Sequence, residues 1–201
     1  MQTPDPADES ASSDPPKRDL SITMEKANLY GIALFIPIGL VLALPYVGRW
    51  GWAAFGRAWS LLLDHTLLAL GVFAVGIVLH ELIHGVSWTI FGKKPRGAIK
   101  YGFQVKTLTP YAHCTEPMDV WPYRLGAVLP GLLLGVLPWL ASIATGNGAV
   151  FLFGFFFTLA ALGDAMILWL LRGVAPGSLV LDHPTHAGCY VFEREGVRGK
   201  G

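Results

Sequence analysis

The stretch GVFAVGIVLHELIHGVSWTIFG, residues 71–92, is apolar enough to enter a bilayer, yet His80, Glu81 and His84 interrupt it. Ionisable groups at such depth are costly unless something compensates them. On a helix, side chains four residues apart share a face, so His80 and His84 can grip one metal ion while Glu81 projects beside them to take a proton from water. That spacing suits zinc-dependent hydrolysis. The plainer alternative is that the three polar groups only join neighbouring helices, an expensive arrangement within two turns.

The rest of the chain supports a membrane setting. Of its 201 residues, 53% are hydrophobic and 14% charged, and the mean hydropathy is +0.49. These values exclude an ordinary soluble domain and predict an all-α membrane protein, with the lipid bilayer as its surroundings. Four apolar runs, at residues 28–47, 66–91, 125–145 and 149–171, are long enough to span. The formal net charge of +1 offers no basic field for nucleic acid. Cys114 and Cys189 are too few and too separated for a secreted disulfide framework.

Lys and Arg collect in cytoplasmic loops. Lys17, Arg18 and Lys26 precede the first run; Lys93, Lys94, Arg96, Lys100, Lys106 and Arg124 separate the second from the third; Arg172, Arg194, Arg198 and Lys200 follow the fourth. Both termini are therefore expected in the cytoplasm, and Trp50, Trp52 and Trp59 fit an outer interfacial belt. Residues 1–26, rich in Pro, Ser and acid, read as a disordered tail, residues 27–175 as the four-span domain, and residues 176–201 as a cytoplasmic tail.

Between the second and third spans, Ile99, Tyr101, Phe103 and Val105 alternate with polar or small residues. TLTP then reads as a turn and YAHC as a return strand, which predicts a short cytoplasmic β-hairpin against the membrane. In the third span, Gly131 and Gly135 allow close helix contact, and Pro130 and Pro138 should bend the helix.

A catalytic zinc site normally takes three protein ligands. Asp164 is the carboxylate inside the fourth span, eight residues before Arg172, while His84 is nine before Lys93. The two therefore lie at matching depth. His113, Cys114 and Glu116, in AHCTEP, are metal-capable residues that could lend a ligand, position substrate or plug the entrance. Asp182, His183 and His186, in LDHPTHAGCYV, read as an Asx and Pro turn or as a cap over the cytoplasmic mouth. Asp64 and His65 read as capping or interfacial groups.

The order of HELIH, a Gly- and Pro-bearing span and an intramembrane Asp resembles the core of site-2-type intramembrane zinc proteases. More closely, HELIHG, AHCTEP, YRLGAVLPGLLLGVLP, LGDAMILWLLR and DHPTHAGCYV together resemble a small bacterial family of zincin membrane peptidases, over roughly residues 27–193. The resemblance implies a bacterial plasma membrane, Zn2+ on His80, His84 and Asp164, and Glu81 as catalytic base. Gly163 and Ala165 flank Asp164, unlike the Asn, Pro and Gly around the site-2 aspartate. The expected function is a zinc-dependent intramembrane or membrane-associated endopeptidase acting on a membrane protein or peptide. The alternatives are a non-catalytic metal-binding sensor or chaperone, and a helix-packing scaffold. Two His and a carboxylate also suit iron or cobalt.

Overall fold

The computed structural model describes residues 17–105 and 109–193. Helices dominate, and four are long and apolar enough to cross a membrane: Met24–Asp64, Thr66–Ile90, Val120–Thr145 and Gly148–Gly173. Many Leu, Ile and Val side chains on the first two are exposed, among them Ile32, Ile36, Leu67, Leu68 and Val78. An apolar solvent is what such surfaces fit.

Helix α1 (Met24–Asp64) starts where the Thr23 hydroxyl accepts the Lys26 N–H, and runs for 41 residues. That is about twice the roughly 20 a bilayer requires. It is broken at Gly51, whose φ of 78° a side chain would strain. The arm beyond Gly51 lays Ala58 on Gly148, where an added Cβ would stand 2.7 Å from the Ala58 Cβ. The first helix is thus much longer than residues 28–47. Of Trp50, Trp52 and Trp59, two pack against neighbouring helices: Trp50 donates to the Ile143 carbonyl at 3.0 Å, and Trp59 meets Phe155 and Phe156 edge-on.

Helix α2 (Thr66–Ile90) carries His80, Glu81 and His84 and follows α1 at His65. The third long helix comprises α3 (Val120–Pro130), a π-helical segment (Gly131–Val136) and α4 (Leu137–Thr145). It begins five residues before the expected Leu125, because Asp119 caps it by accepting the Trp121 N–H at 2.9 Å. Pro130 and Pro138 border the π segment, where missing N–H donors loosen the regular ladder. Gly131 and Gly135 approach the fourth helix closely: an added Cβ would lie 2.8 Å from the Ala161 Cβ and 2.8 Å from the Thr158 nitrogen, respectively. The fourth helix is itself interrupted at Ala161, between α5 (Gly148–Ala160) and α6 (Leu162–Leu170).

The chain is not all-α outside its helices. Strands β1 (Lys17–Ile22), β4 (Met118–Asp119), β5 (Leu179–Asp182) and β6 (Ala187–Phe192) form an antiparallel sheet in the order β1-β6-β5-β4. This corrects both expected tails: residues 17–22 pair with residues 187–192, Leu20 opposite Cys189, and Met24 onward is already helical. Residues 1–16 and 194–201, also read as tail, lie outside the described residues. The pairing puts both ends of the described chain together. The sheet buries Val180, Cys189 and Val191 with Val120, Leu171 and Trp88; a separate core joins Leu42 and Tyr46 of α1 to Phe151 and Phe155 of α5.

A hairpin does lie between α2 and α3, formed by β2 (Ile99–Gln104) and β3 (Thr109–Cys114), but its position differs from the expectation. The return strand begins at Thr109, inside the segment read as turn; residues 107 and 108 of that turn lie outside the described residues. The hairpin packs on α2 at Gly85, where an added Cβ would collide with Ile99 and Tyr101. Ile99 is buried, whereas Phe103 and Val105 are exposed, so only the base of its apolar face is covered.

Candidate metal centre

One turn of α2 separates His80 from His84, and their ring centroids are 5.0 Å apart. Asp164 meets them from the first turn of α6, just past the break at Ala161. Free N–H groups and the positive end of the helix dipole there favour a carboxylate. Asp164 Oδ2 lies 3.0 Å from His80 Nε2, and Oδ1 lies 3.3 Å from His84 Nε2. Both imidazoles are more than 90% buried. The three side chains expected to converge do so.

The position of α6 is held from its far end. Arg124 of α3 donates through Nη2 to the carbonyls of Leu171 and Val174, the latter at 2.9 Å. The Leu171 carbonyl also accepts the Val174 N–H at 2.9 Å, so Arg124 reinforces a turn the backbone already closes and adds a partner for the Val174 carbonyl.

The donor chemistry fits a divalent cation. His84 Nδ1 is 3.0 Å from the Gly126 carbonyl, which only accepts, so Nδ1 carries the hydrogen. In the neutral ring Nε2 is then a lone pair facing a carboxylate oxygen, and that gap calls for a proton or a cation. Tetrahedral zinc, with bonds of about 2.0–2.1 Å, sets its donor atoms about 3.3 Å apart. The two carboxylate–imidazole approaches, 3.0 Å from Oδ2 and 3.3 Å from Oδ1, are close to that spacing, and with one ligand atom taken from each residue all three lie within 4.8 Å of one another. Orienting a ligating imidazole through its other nitrogen is the usual companion of metal binding. His80 differs: its buried Nδ1 has no hydrogen-bond partner among the described residues, so Asp164 and packing hold its ring.

Glu81 lies within electrostatic reach of His84, His80 and Asp164, and its carboxyl faces the backbone N–H of Ala112 on β3. The hairpin is therefore part of this centre. Behind His84 the stack continues, with Trp88 at 5.5 Å and Tyr123 a further 5.6 Å from Trp88. An added Cβ on Gly126 would collide with the Trp88 indole, so glycine lets α3 come close enough for its carbonyl to reach His84.

The AHCTEP residues do not join the cluster. His113 Nδ1 lies 3.8 Å from Asp182 Oδ2. Cys114 is buried and its thiol donates to the Glu116 carbonyl at 3.4 Å, while Glu116 pairs with Lys94 at 3.6 Å. Burial pushes the thiols up, Cys189 to about 12. In the DHPTH turn, His183 Nδ1 accepts the N–H groups of Thr185 and His186 at 3.1 and 2.9 Å. Asp182 points the other way, accepting the Tyr123 hydroxyl at 2.5 Å and the Cys114 N–H at 2.7 Å.

Sequence reading missed Gly126, Trp88, Tyr123 and the Ala112 amide. Trp88 had a signal, standing four residues after His84 on the same helical face. The Gly126 carbonyl and Ala112 amide are backbone groups that carry no mark in the residue type.

No curated protein and no solved structure matches the chain. One family model does, that of the putative zincin peptidases, over residues 73–179. That span is just over half the chain and includes His80, Glu81, His84, Gly126 and Asp164. With the residues that build the centre inside the matched region, the chain belongs to the putative zincin peptidase family.

Proposed function

We propose that the protein is a zinc-dependent endopeptidase of the membrane, working on peptide bonds brought to His80, Glu81, His84 and Asp164. The observation that carries this reading is the pair of approaches, 3.0 and 3.3 Å, by which one carboxylate reaches both imidazoles of the H-E-x-x-H turn. A divalent ion held by these three side chains would supply Lewis acidity, acidifying water and polarising a peptide carbonyl. Glu81 takes the proton of the attacking water and returns it to the leaving amine. The Ala112 amide restrains the Glu81 carboxylate as it does so. Gly126 fixes the His84 tautomer that leaves Nε2 free to ligate.

Water and substrate arrive from the side of the hairpin, which we take as cytoplasmic along with both termini. A cavity of about 290 Å³ between α2 and β2 is lined by Gly85, Thr89, Arg96 and Tyr101. An extended peptide can pair with the hairpin edge, since strand addition satisfies backbone groups that an unwound segment exposes.

The test pairs Glu81→Gln with His84→Ala in the full chain. E81Q should retain stoichiometric zinc and stop fragments of membrane proteins from appearing in a proteome-wide comparison, and H84A should lose both. Fragments that persist in E81Q would refute the hydrolytic role. A second reading, a metal-binding sensor or chaperone, is favoured by the burial of both imidazoles. It predicts that ligand substitutions change the phenotype and E81Q does not.

A further inference from the structure

We propose that Asp182 is a positioning residue that ties both arms of the metal centre to the C-terminal sheet; this rests on the metallopeptidase reading above. Its carboxylate sits at the end of β5, beyond the residues the family model matches, and makes two short bonds to different elements. One oxygen accepts the Tyr123 hydroxyl at 2.5 Å, and the other accepts the Cys114 N–H at 2.7 Å.

Each bond leads to the centre. Tyr123 stacks on Trp88 with an interplanar angle of 12°, and Trp88 stacks on His84 at 25°. The Tyr123 carbonyl also accepts the Trp88 indole N–H at 3.5 Å. Tyr123 lies three residues before Gly126, so whatever holds this turn of α3 also holds the carbonyl that orients His84. On the other arm, Cys114 is two residues from Ala112 on β3, and alternate backbone N–H groups of a strand point to the same edge. The N–H of Ala112 on that edge meets Glu81, and the N–H of Cys114 meets Asp182. One carboxylate thus fixes the strand over the base and the helix beside the ligand.

Charge-assisted hydrogen bonds to a carboxylate are the stronger kind, and their geometry is the more sharply set. Asp182 is in turn seated by the sheet, opposite Cys189 of β6, which itself pairs with Leu20 of β1. The N-terminal and C-terminal strands therefore brace a residue that contacts neither the ligands nor Glu81.

The experiment uses the full chain in detergent micelles with Co2+ as the probe, comparing Asp182→Asn, Tyr123→Phe and, as a control on the outer sheet edge, Arg18→Gln. D182N and Y123F should each weaken Co2+ binding about tenfold, the scale expected when groups supporting a ligand are altered, and should change the visible absorption band shape. Exchange of the Ala112 amide should accelerate in D182N, while R18Q leaves all three readouts unchanged. A role confined to stability would lower the melting temperature and leave the spectrum of the folded protein as it was. Wild-type affinity, spectrum and Ala112 exchange in folded D182N and Y123F would overturn the proposal; should D182N not fold, Y123F decides it by affinity and spectrum. If the wild type takes up no Co2+, the metallopeptidase reading fails, and amide exchange still decides whether Asp182 fixes the strand.

Discussion

The Nδ1 of His84 lies 3.0 Å from the backbone carbonyl of Gly126, across the contact between α2 and α3. This bond selects one tautomer of a buried imidazole and aims the other nitrogen at Asp164. It exists because residue 126 has no side chain to strike Trp88.

Gly126→Ala should therefore push Trp88 away and loosen the bond to His84. Overpacking of this kind costs about 1–3 kcal/mol, and the affinity for zinc should fall. Calorimetric titration with zinc, beside a thermal melt of the metal-free protein, separates the two effects. A melt that shifts with unchanged affinity would show that the carbonyl does not govern His84.

Metal removal should destabilise the protein through linkage, since an ion that binds only the folded state at a thousand times its Kd adds about 4 kcal/mol. Chelation is expected to lower the melting temperature of the wild type and of Glu81→Gln. The shift should vanish in Asp164→Asn, where an amide replaces the carboxylate between the two imidazoles. Differential scanning fluorimetry with and without chelator reads this directly.

Cys114 and Cys189 should resist alkylation at neutral pH. Cys114 is 1% exposed and Cys189 0%, and burial, helped by the Asp182 carboxylate, holds the Cys189 thiol up at about 12. The thiolate is the reactive form, so neither access nor ionisation favours attack. Mass spectrometry after maleimide treatment should find both unmodified in the folded protein and both modified in denaturant. Rapid labelling of folded Cys189 would contradict the packing of β5 on β6.

Acidification should open the turn between β5 and β6. Burial of His183, aided by neighbouring His186 and Lys17 against the opposing pull of Asp19, holds its ring below the ordinary value of 6.5. The unfolded chain therefore binds more protons just below that pH. The His183 contribution is present above about 6.5 and is lost as pH falls through the lower folded value. Protonated Nδ1 cannot accept the N–H groups of Thr185 and His186. Exchange of those two amides, corrected for intrinsic rates, should accelerate below pH 6.5 and lose that dependence in His183→Asn.

How much of this was legible beforehand depends on the range of the interaction. The H-E-x-x-H spacing puts His80, Glu81 and His84 on adjoining parts of one helical turn, whatever surrounds it. Apolar run length marks four helices able to cross a membrane, and counting residues from the flanking Lys93 and Arg172 brings Asp164 level with His84. These are local periodicities and lengths, readable one segment at a time.

Tertiary structure alone joined Lys17–Ile22 to Ala187–Phe192, turned Asp182 toward Tyr123 and Cys114, and brought Gly126 to His84. Strands this short carry little pattern of their own, and their pairing is decided by the partner across the sheet. Backbone carbonyls and amides are the same at every residue, so which of them meets a functional side chain follows only from how closely the helices pack.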